Sequence, residues 1–331
     1  MVRIAFLILL VAFAACKSAV RAAPDPLPLP PPPTAGPPAD GPRADSTSAV
    51  LANGWIEVSL SVPQVGRGPF PVVISPIVAE ETLLEHGFAV ARFHTNWESL
   101  RGLPRPAAAP VPEAPAAAAA GDGSTTVGKW LLTAPRPGIV GRAYFDIITT
   151  DAEKTLPRVV DWLVTRPEID PDRIALTGSS TSGFVALQGM AVEPRIAVGV
   201  VRVACGDYLT FLRSSSLALN DDERWLPEGK LVLDPDYAVE IATREPVRNA
   251  DRYPPRPLLL LAGERDQAIP IACVDNTVVR FRAAYRADGV EDRFRFVSYA
   301  EGGHNLSDDA NAEILPWLER WLAPDVTAAV R

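Results

Sequence analysis

The feature that most narrows the fold is a set of strand-length runs that stay apolar from end to end. Ile196–Ala204 is nearly continuous in this respect, and Leu258–Ala262 reads Leu-Leu-Leu-Leu-Ala. A strand with one face in water alternates apolar and polar residues, whereas a strand apolar throughout must be covered on both faces. Arg173–Thr177 and Phe70–Ser75 are short runs of the same kind, Phe88–Phe93 and Phe294–Tyr299 read as further strands, and Trp55–Val62 alternates like a half-buried one. Between them lie stretches with helical spacing: Ala79–Glu85 stopped near Gly87, Asp151–Arg166 with Leu156, Val159, Val160 and Leu163, Phe184–Met190, Asn276–Ala287, and Ala310–Leu322 with Ile314, Trp317, Leu318 and Trp321. Strand and helix alternate along the chain without an internal repeat. That order predicts an α/β domain built on a mostly parallel sheet with helices on both faces.

The chain supplies enough material for one such domain: 331 residues, 47% hydrophobic and 22% charged. Its formal charge of −8 argues against nucleic acid as a partner, because neutralising phosphates takes a surplus of Lys and Arg. The first residues are of another character. Arg3 precedes an apolar run from Ile4 to Ala15, too short to span a bilayer but right for an export signal. Phe13-Ala14-Ala15-Cys16 then resembles a bacterial lipobox, in which Cys16 is lipidated and becomes the mature N-terminus; the competing reading is an ordinary cleavage after Ala22 or Ala23. Pro24 to Pro42 holds ten prolines in nineteen residues. Proline lacks the N–H and fixes φ, so this stretch is expected to be a polyproline spacer roughly 60 Å long, a tether between anchor and domain.

Chemistry concentrates at Leu176-Thr-Gly-Ser-Ser-Thr-Ser-Gly183, where a strand ends and a helix opens. Such a turn can carry a nucleophilic serine if the residues two before and two after it are small. Ser179 would have Thr177 and Thr181 in those places, and Ser182 would have Ser180 and Phe184; Ser180 has Gly178 and Ser182. Ser180 fits, with Ser182 standing where a second glycine is usual. A hydroxyl needs an imidazole to take its proton and a carboxylate to hold that imidazole. Of the three histidines, His304 sits in Glu301-Gly-Gly-His304 directly after a strand, and Asp266 follows the Leu258–Ala262 strand. All three candidates lie just past strand C-termini, where open parallel sheets place their sites.

From about Trp55 to Leu322 the chain resembles an α/β-hydrolase of the dienelactone-hydrolase-like and prolyl-oligopeptidase-like group. The matching pieces are Ile169-Asp-Pro-Asp-Arg-Ile-Ala-Leu-Thr-Gly-Ser-Ser180, Gly263-Glu-Arg-Asp-Gln-Ala-Ile-Pro270 and Gly302-Gly-His304, and the order Ser180, Asp266, His304 is that of the superfamily. The resemblance implies acyl transfer through a serine ester, with no metal or organic cofactor. It also implies an oxyanion hole made by the backbone N–H of Thr181 and a donor after an earlier strand. There the chain reads Ser75-Pro76-Ile77; Pro76 has no N–H, so the second donor falls to Ile77, with Val78 next in line.

The expected organisation is a signal peptide (1–15), a Pro-rich tether (16–47), a single hydrolase domain (48–324) and a short tail (325–331). Insertions 94–141 and 206–255 leave the domain at its active-site edge as lids; Pro104–Gly123 in the first reads as a mobile Ala/Pro loop. His86 suits a helix end, and His94 follows a strand on the site's edge. Glu264 and Asp207 could stand in for Asp266. Cys205 and Cys273 form either a disulfide or two buried thiols, and no Cys/His cluster has metal-ligand spacing. The function expected is hydrolysis of a carboxylic ester outside the cytoplasm by a membrane-anchored lipoprotein acting on a small-molecule substrate. A peptidase acting on short peptides and a catalytically silent binding lipoprotein are the alternatives.

Overall fold

The computed structural model describes residues 45–96, 137–219, 233 and 235–322. Eight strands form one sheet in the order β1-β2-β4-β3-β5-β6-β7-β8. They are β1 Asp45–Leu51, β2 Ile56–Val62, β3 Phe70–Ile74, β4 Ala89–Thr95, β5 Ile169–Ser179, β6 Ile196–Arg202, β7 Leu258–Gly263 and β8 Phe294–Tyr299. The pairs β1/β2 and β2/β4 are antiparallel, and every pair from β4 across to β8 is parallel. This is the sheet of an α/β-hydrolase, as the resemblance implies, and its parallel part is what the apolar runs lead one to expect.

Helices cover both faces. On one side lie α1 (Glu80–Glu85) and α10 (Ile314–Leu322), where Leu83, Ile314 and Leu318 bury against Val73, Val198 and Leu259. On the other lie α2 (Pro137–Thr150), α3 (Leu156–Leu163), α4 (Thr181–Val192) and α8 (Ile271–Ala287), where Phe145, Val160, Phe184 and Phe281 meet Ile74, Leu176 and Leu260. Helix α4 is apolar nearly all round, with Gly183 through Met190 all buried, so it is packed on every side instead of lying on the surface. Between α2 and α3, Asp151–Thr155 is wound as a π-helix.

Several boundaries differ from expectation. Strand β1 begins at Asp45, ahead of residue 48, and takes in residues assigned to the tether. Its first four residues are polar and it is an edge strand, paired in register with β2 from Asp45↔Val62 to Leu51↔Ile56, so pairing rather than its own apolar pattern makes it a strand. The helix expected to start at Asp151 starts at Pro137, which means that insertion 94–141 ends inside a helix that packs under the sheet. At its other end β4 runs on through Thr95. The described parts of insertion 206–255 are short helices, α5 (Tyr208–Ser214), α6 (Ser216–Leu219) and α7 (Pro235–Arg244), followed by two 3-10 turns. Cys16 with its signal, the Pro24–Pro42 spacer, Pro104–Gly123 and the 325–331 tail lie outside the described residues.

Cys205 and Cys273 are joined as a disulfide, with 5.8 Å between their Cα atoms. The bridge ties the chain leaving β6 to the first turn of α8. Helix α9 (Asp308–Asn311) is a separate turn ahead of α10, so the final helix expected from Ala310 is broken in two.

Candidate active site

Strand β5 ends at Ser179 and α4 begins at Thr181, so Ser180 alone turns the chain. It does so with φ 56° and ψ −123°. A non-glycine residue holds such backbone only where its surroundings enforce it, and here they do. The Ser180 N–H donates to the Arg202 carbonyl at 3.0 Å, across to β6. A Cβ on Gly178 would overlap the Ser182 carbonyl, and one on Gly183 would come within 2.8 Å of the Ala204 Cβ. Ser182, in place of the usual glycine, puts its hydroxyl to use: Oγ donates to the Ser179 carbonyl at 2.8 Å and accepts from the Ser179 N–H at 2.9 Å. The result is a side chain lifted clear of the sheet at a helix N-terminus.

The loops after β7 and β8 are bound to each other. Glu264 N–H donates to Tyr299 O at 3.0 Å, and Arg265 N–H to Gly302 O at 2.8 Å. A Cβ on Gly263 would overlap the carbonyls of Gly302 and Gly303, and one on Gly302 would meet Leu306 and Tyr299 at 2.9 Å. Gly263 and Gly302 are there for close approach, and neither has positive φ.

These loops bring three side chains into line. His304 Nε2 lies 3.0 Å from Ser180 Oγ, and His304 Nδ1 lies 2.9 Å from Asp266 Oδ2. An ionised carboxylate can only accept, so Nδ1 carries the proton and Nε2 presents its lone pair to the serine hydroxyl. Asp266 is buried, and its other oxygen, Oδ1, accepts from the N–H groups of Ala268 and Ile269, both at 2.9 Å. Ser180 and His304 are partly open to solvent. Chemically, this arrangement can draw a proton from Ser180 as its oxygen attacks and return it to a leaving group.

The alternative carboxylates are committed elsewhere. Asp207 caps α5 through Thr210 N–H at 2.9 Å and accepts from Asn276 at 2.8 Å. Glu264 accepts from the Ser298 hydroxyl at 2.8 Å. His86 pairs with Glu319 at 2.7 Å on the surface, and His94 is an exposed residue of β4 opposite Glu57. Thr181 is the first residue of α4. Ile77 follows the turn at Ser75 (φ 54°), whose carbonyl accepts from Thr177 Oγ1 at 2.6 Å and so ties the turn to β5. Among the described residues no group of His, Cys, Asp or Glu could hold a metal ion.

Arg202 is a neighbour that sequence reasoning did not single out. Its Nε donates to Ser179 Oγ at 3.1 Å and its Nη1 to Asn311 at 2.7 Å, bracing the turn against α9 beyond the histidine loop. Burial pulls its pKa below the ordinary guanidinium value. A lone arginine inside an apolar strand was the available signal.

Known proteins share this architecture. Among solved structures, 2,6-dihydroxy-pseudo-oxynicotine hydrolase superposes with a TM-score of 0.51 at 21% identity, covering 84% of this chain and 68% of its own. Pyrococcus horikoshii acylaminoacyl peptidase gives 0.56 at 13% identity, covering 85% of this chain and 42% of its own. At these identities the likeness is one of fold. In sequence, YtaP of Bacillus subtilis (strain 168), a protein named as a hydrolase, is 26% identical over 184 residues, which is 56% of each chain. The chain thus spans little more than half the length of that relative. The model of the prolyl oligopeptidase family matches residues 152–325, more than half of the chain. Since the turn at Ser180 and the loops of Asp266 and His304 all fall inside that stretch, the chain belongs to the prolyl oligopeptidase family.

Proposed function

We propose that the protein is an exported serine hydrolase that cleaves a carboxylic ester through an acyl-serine intermediate. The observation that carries this reading is the unbroken line from Ser180 through His304 to Asp266. In it Ser180 Oγ attacks the ester carbonyl while His304 Nε2 takes its proton. The tetrahedral oxyanion is bound by the backbone N–H groups of Thr181 and Ile77, the former at the positive end of α4. Collapse expels the alcohol, which receives the proton from His304. Water, activated by the same imidazole, then releases the acid and restores Ser180. Asp266 holds the tautomer and stabilises the imidazolium throughout.

One observation favours a second reading, a peptidase acting on short peptides: the family match itself. The chemistry is the same with an amine as leaving group. The two readings part on a panel of p-nitrophenyl esters of graded chain length beside peptide anilides. Ester turnover exceeding anilide turnover by orders of magnitude in kcat/KM supports the esterase, and the reverse order supports the peptidase. Absence of both activities would favour the silent binding protein.

The location outside the cytoplasm rests on the N-terminal sequence, with Cys16 as the lipidated residue, and is supported by the Cys205–Cys273 bridge, since disulfides persist in oxidising compartments. Mass spectrometry of the mature N-terminus tests it: a diacylated or triacylated Cys16 is expected, and an unmodified terminus at or beyond Ala23 would contradict the anchor.

A further inference from the structure

Asp266 is aimed by two peptide units, and both units are gripped from behind. The N–H of Ala268 and the N–H of Ile269 each donate to Asp266 Oδ1 at 2.9 Å. A trans peptide unit is planar, with its C=O and N–H pointing in opposite directions. The Ala268 N–H shares its plane with the Gln267 carbonyl, and the Ile269 N–H shares its plane with the Ala268 carbonyl. Both carbonyls are bound at the junction of α5 and α6. Ser216 N–H donates to Gln267 O at 2.8 Å, and Ser215 Oγ donates to Ala268 O at 2.6 Å. Ser215 is fully buried, and its oxygen also accepts from Leu217 N–H at 3.1 Å, which leaves the hydroxyl hydrogen for Ala268. Neither peptide unit can rotate its N–H away from Asp266 without also breaking its bond to a serine.

We infer that Ser215 and Ser216 are positioning residues for Asp266, so that the segment leaving β6 acts on the chemical step through the acid loop. The inference rests on the triad reading above. Its mechanism is geometric: the junction fixes two amide dipoles, the dipoles fix one carboxylate oxygen, and the other oxygen orients His304. The serines are 50 and 51 residues away from the acid in sequence, in a stretch whose short helices carry no catalytic motif, so nothing in the sequence pairs them.

Two variants test it by different routes. Ser215→Ala removes the hydroxyl. Ser216→Pro removes the N–H at the first position of a helix, where proline is tolerated. Ser215 (φ −68°, ψ 138°) already has the extended backbone that a residue before proline needs. Activity on a soluble p-nitrophenyl ester is normalised to the fraction of enzyme that reacts with a fluorophosphonate at saturation. Each variant should lose about 10- to 100-fold in kcat, with KM within about twofold, the scale expected of a misplaced catalytic group. In an Asp266→Asn background the same substitutions should change kcat by less than about twofold, because the group they aim is already disabled. A merely structural role would give equal losses in both backgrounds, and that result overturns the inference, as does wild-type kcat in both single variants. If Asp266→Asn alone is fully active, the triad reading falls and the inference with it. A large Asp266→Asn loss beside two unaffected serine variants removes the inference alone.

Discussion

The two halves of the sheet are built differently. In β7 all six residues are buried, Leu258 to Gly263, and in β3 four of five are. In β2 burial alternates from Ile56 to Leu60, with Glu57 and Ser59 outward, and β1 is exposed over most of its length. Within the parallel half β3 to β7 run between two layers of helices, its outer strand β8 buries only Phe294, and the antiparallel edge has one face in water. All three members of the proposed triad come from the parallel half, just past the ends of β5, β7 and β8. The lesson is that the catalytic side chains are carried by loops leaving the parallel strands, while the antiparallel edge closes the core from one side.

The largest effect should come from the parallel half. Ser180→Ala and His304→Ala are expected to lower kcat by about three to six decades, with the circular dichroism spectrum and melting temperature unchanged. An activity within tenfold of wild type in Ser180→Ala would break the comparison at its centre.

Next in size is the contrast in stability. Leu260 is fully buried at the middle of β7. Leu260→Ala should cost about 2–5 kcal/mol in denaturant unfolding, because it removes apolar contacts and leaves a cavity between the sheet and one helix layer. Ser59→Thr, outward on β2, should stay within about 0.5 kcal/mol. Equal costs at the two positions would mean that the halves are not distinct in packing.

A third test sits where the halves meet. Asp151, in the π-helical turn, accepts from Thr95 Oγ1 at 2.6 Å at the end of β4. Burial pushes its carboxyl up to about 7, with the Thr95 and Thr155 hydroxyls pulling the other way. The folded protein therefore binds a proton that the unfolded chain releases near 3.8, and folding is favoured by this group at low pH. That contribution is complete below the unfolded value and is lost as pH rises through about 7. Asp151→Asn keeps an acceptor for Thr95 and cannot ionise. Its melting temperature should exceed that of the wild type by several degrees at pH 8 and match it near pH 4. A difference that is the same at both pH values would show that Asp151 is not protonated in the fold.

Much of this was legible in the sequence because local patterns and global fold agree in the parallel half. The apolar runs at 196–204 and 258–262 admit only a two-sided environment, and Gly178, Ser180 and Gly183 are spaced as a strand-to-helix turn demands. What was not legible depends on partners far away in the chain. Strand β1 opens with four polar residues, and its pairing with β2 makes it a strand. The helix from Pro137 contains Gly138 and Gly141, which weaken its pattern, yet Phe145 and Ile148 bury it beneath the sheet. The grip of Ser215 and Ser216 on the acid loop is made by one hydroxyl and one backbone N–H, and neither leaves a mark in a sequence. Ser182 looked like a flaw in the motif, and its hydroxyl is a brace.

The most direct test of the account is covalent labelling. Wild-type protein treated with a fluorophosphonate probe and digested should yield, by mass spectrometry, one adduct on Ser180. Ser180→Ala should give none, and His304→Ala should label more slowly by orders of magnitude. An adduct on Ser179 or Ser182, or undiminished labelling of Ser180→Ala, would contradict the assignment of the nucleophile and with it the reading of the site.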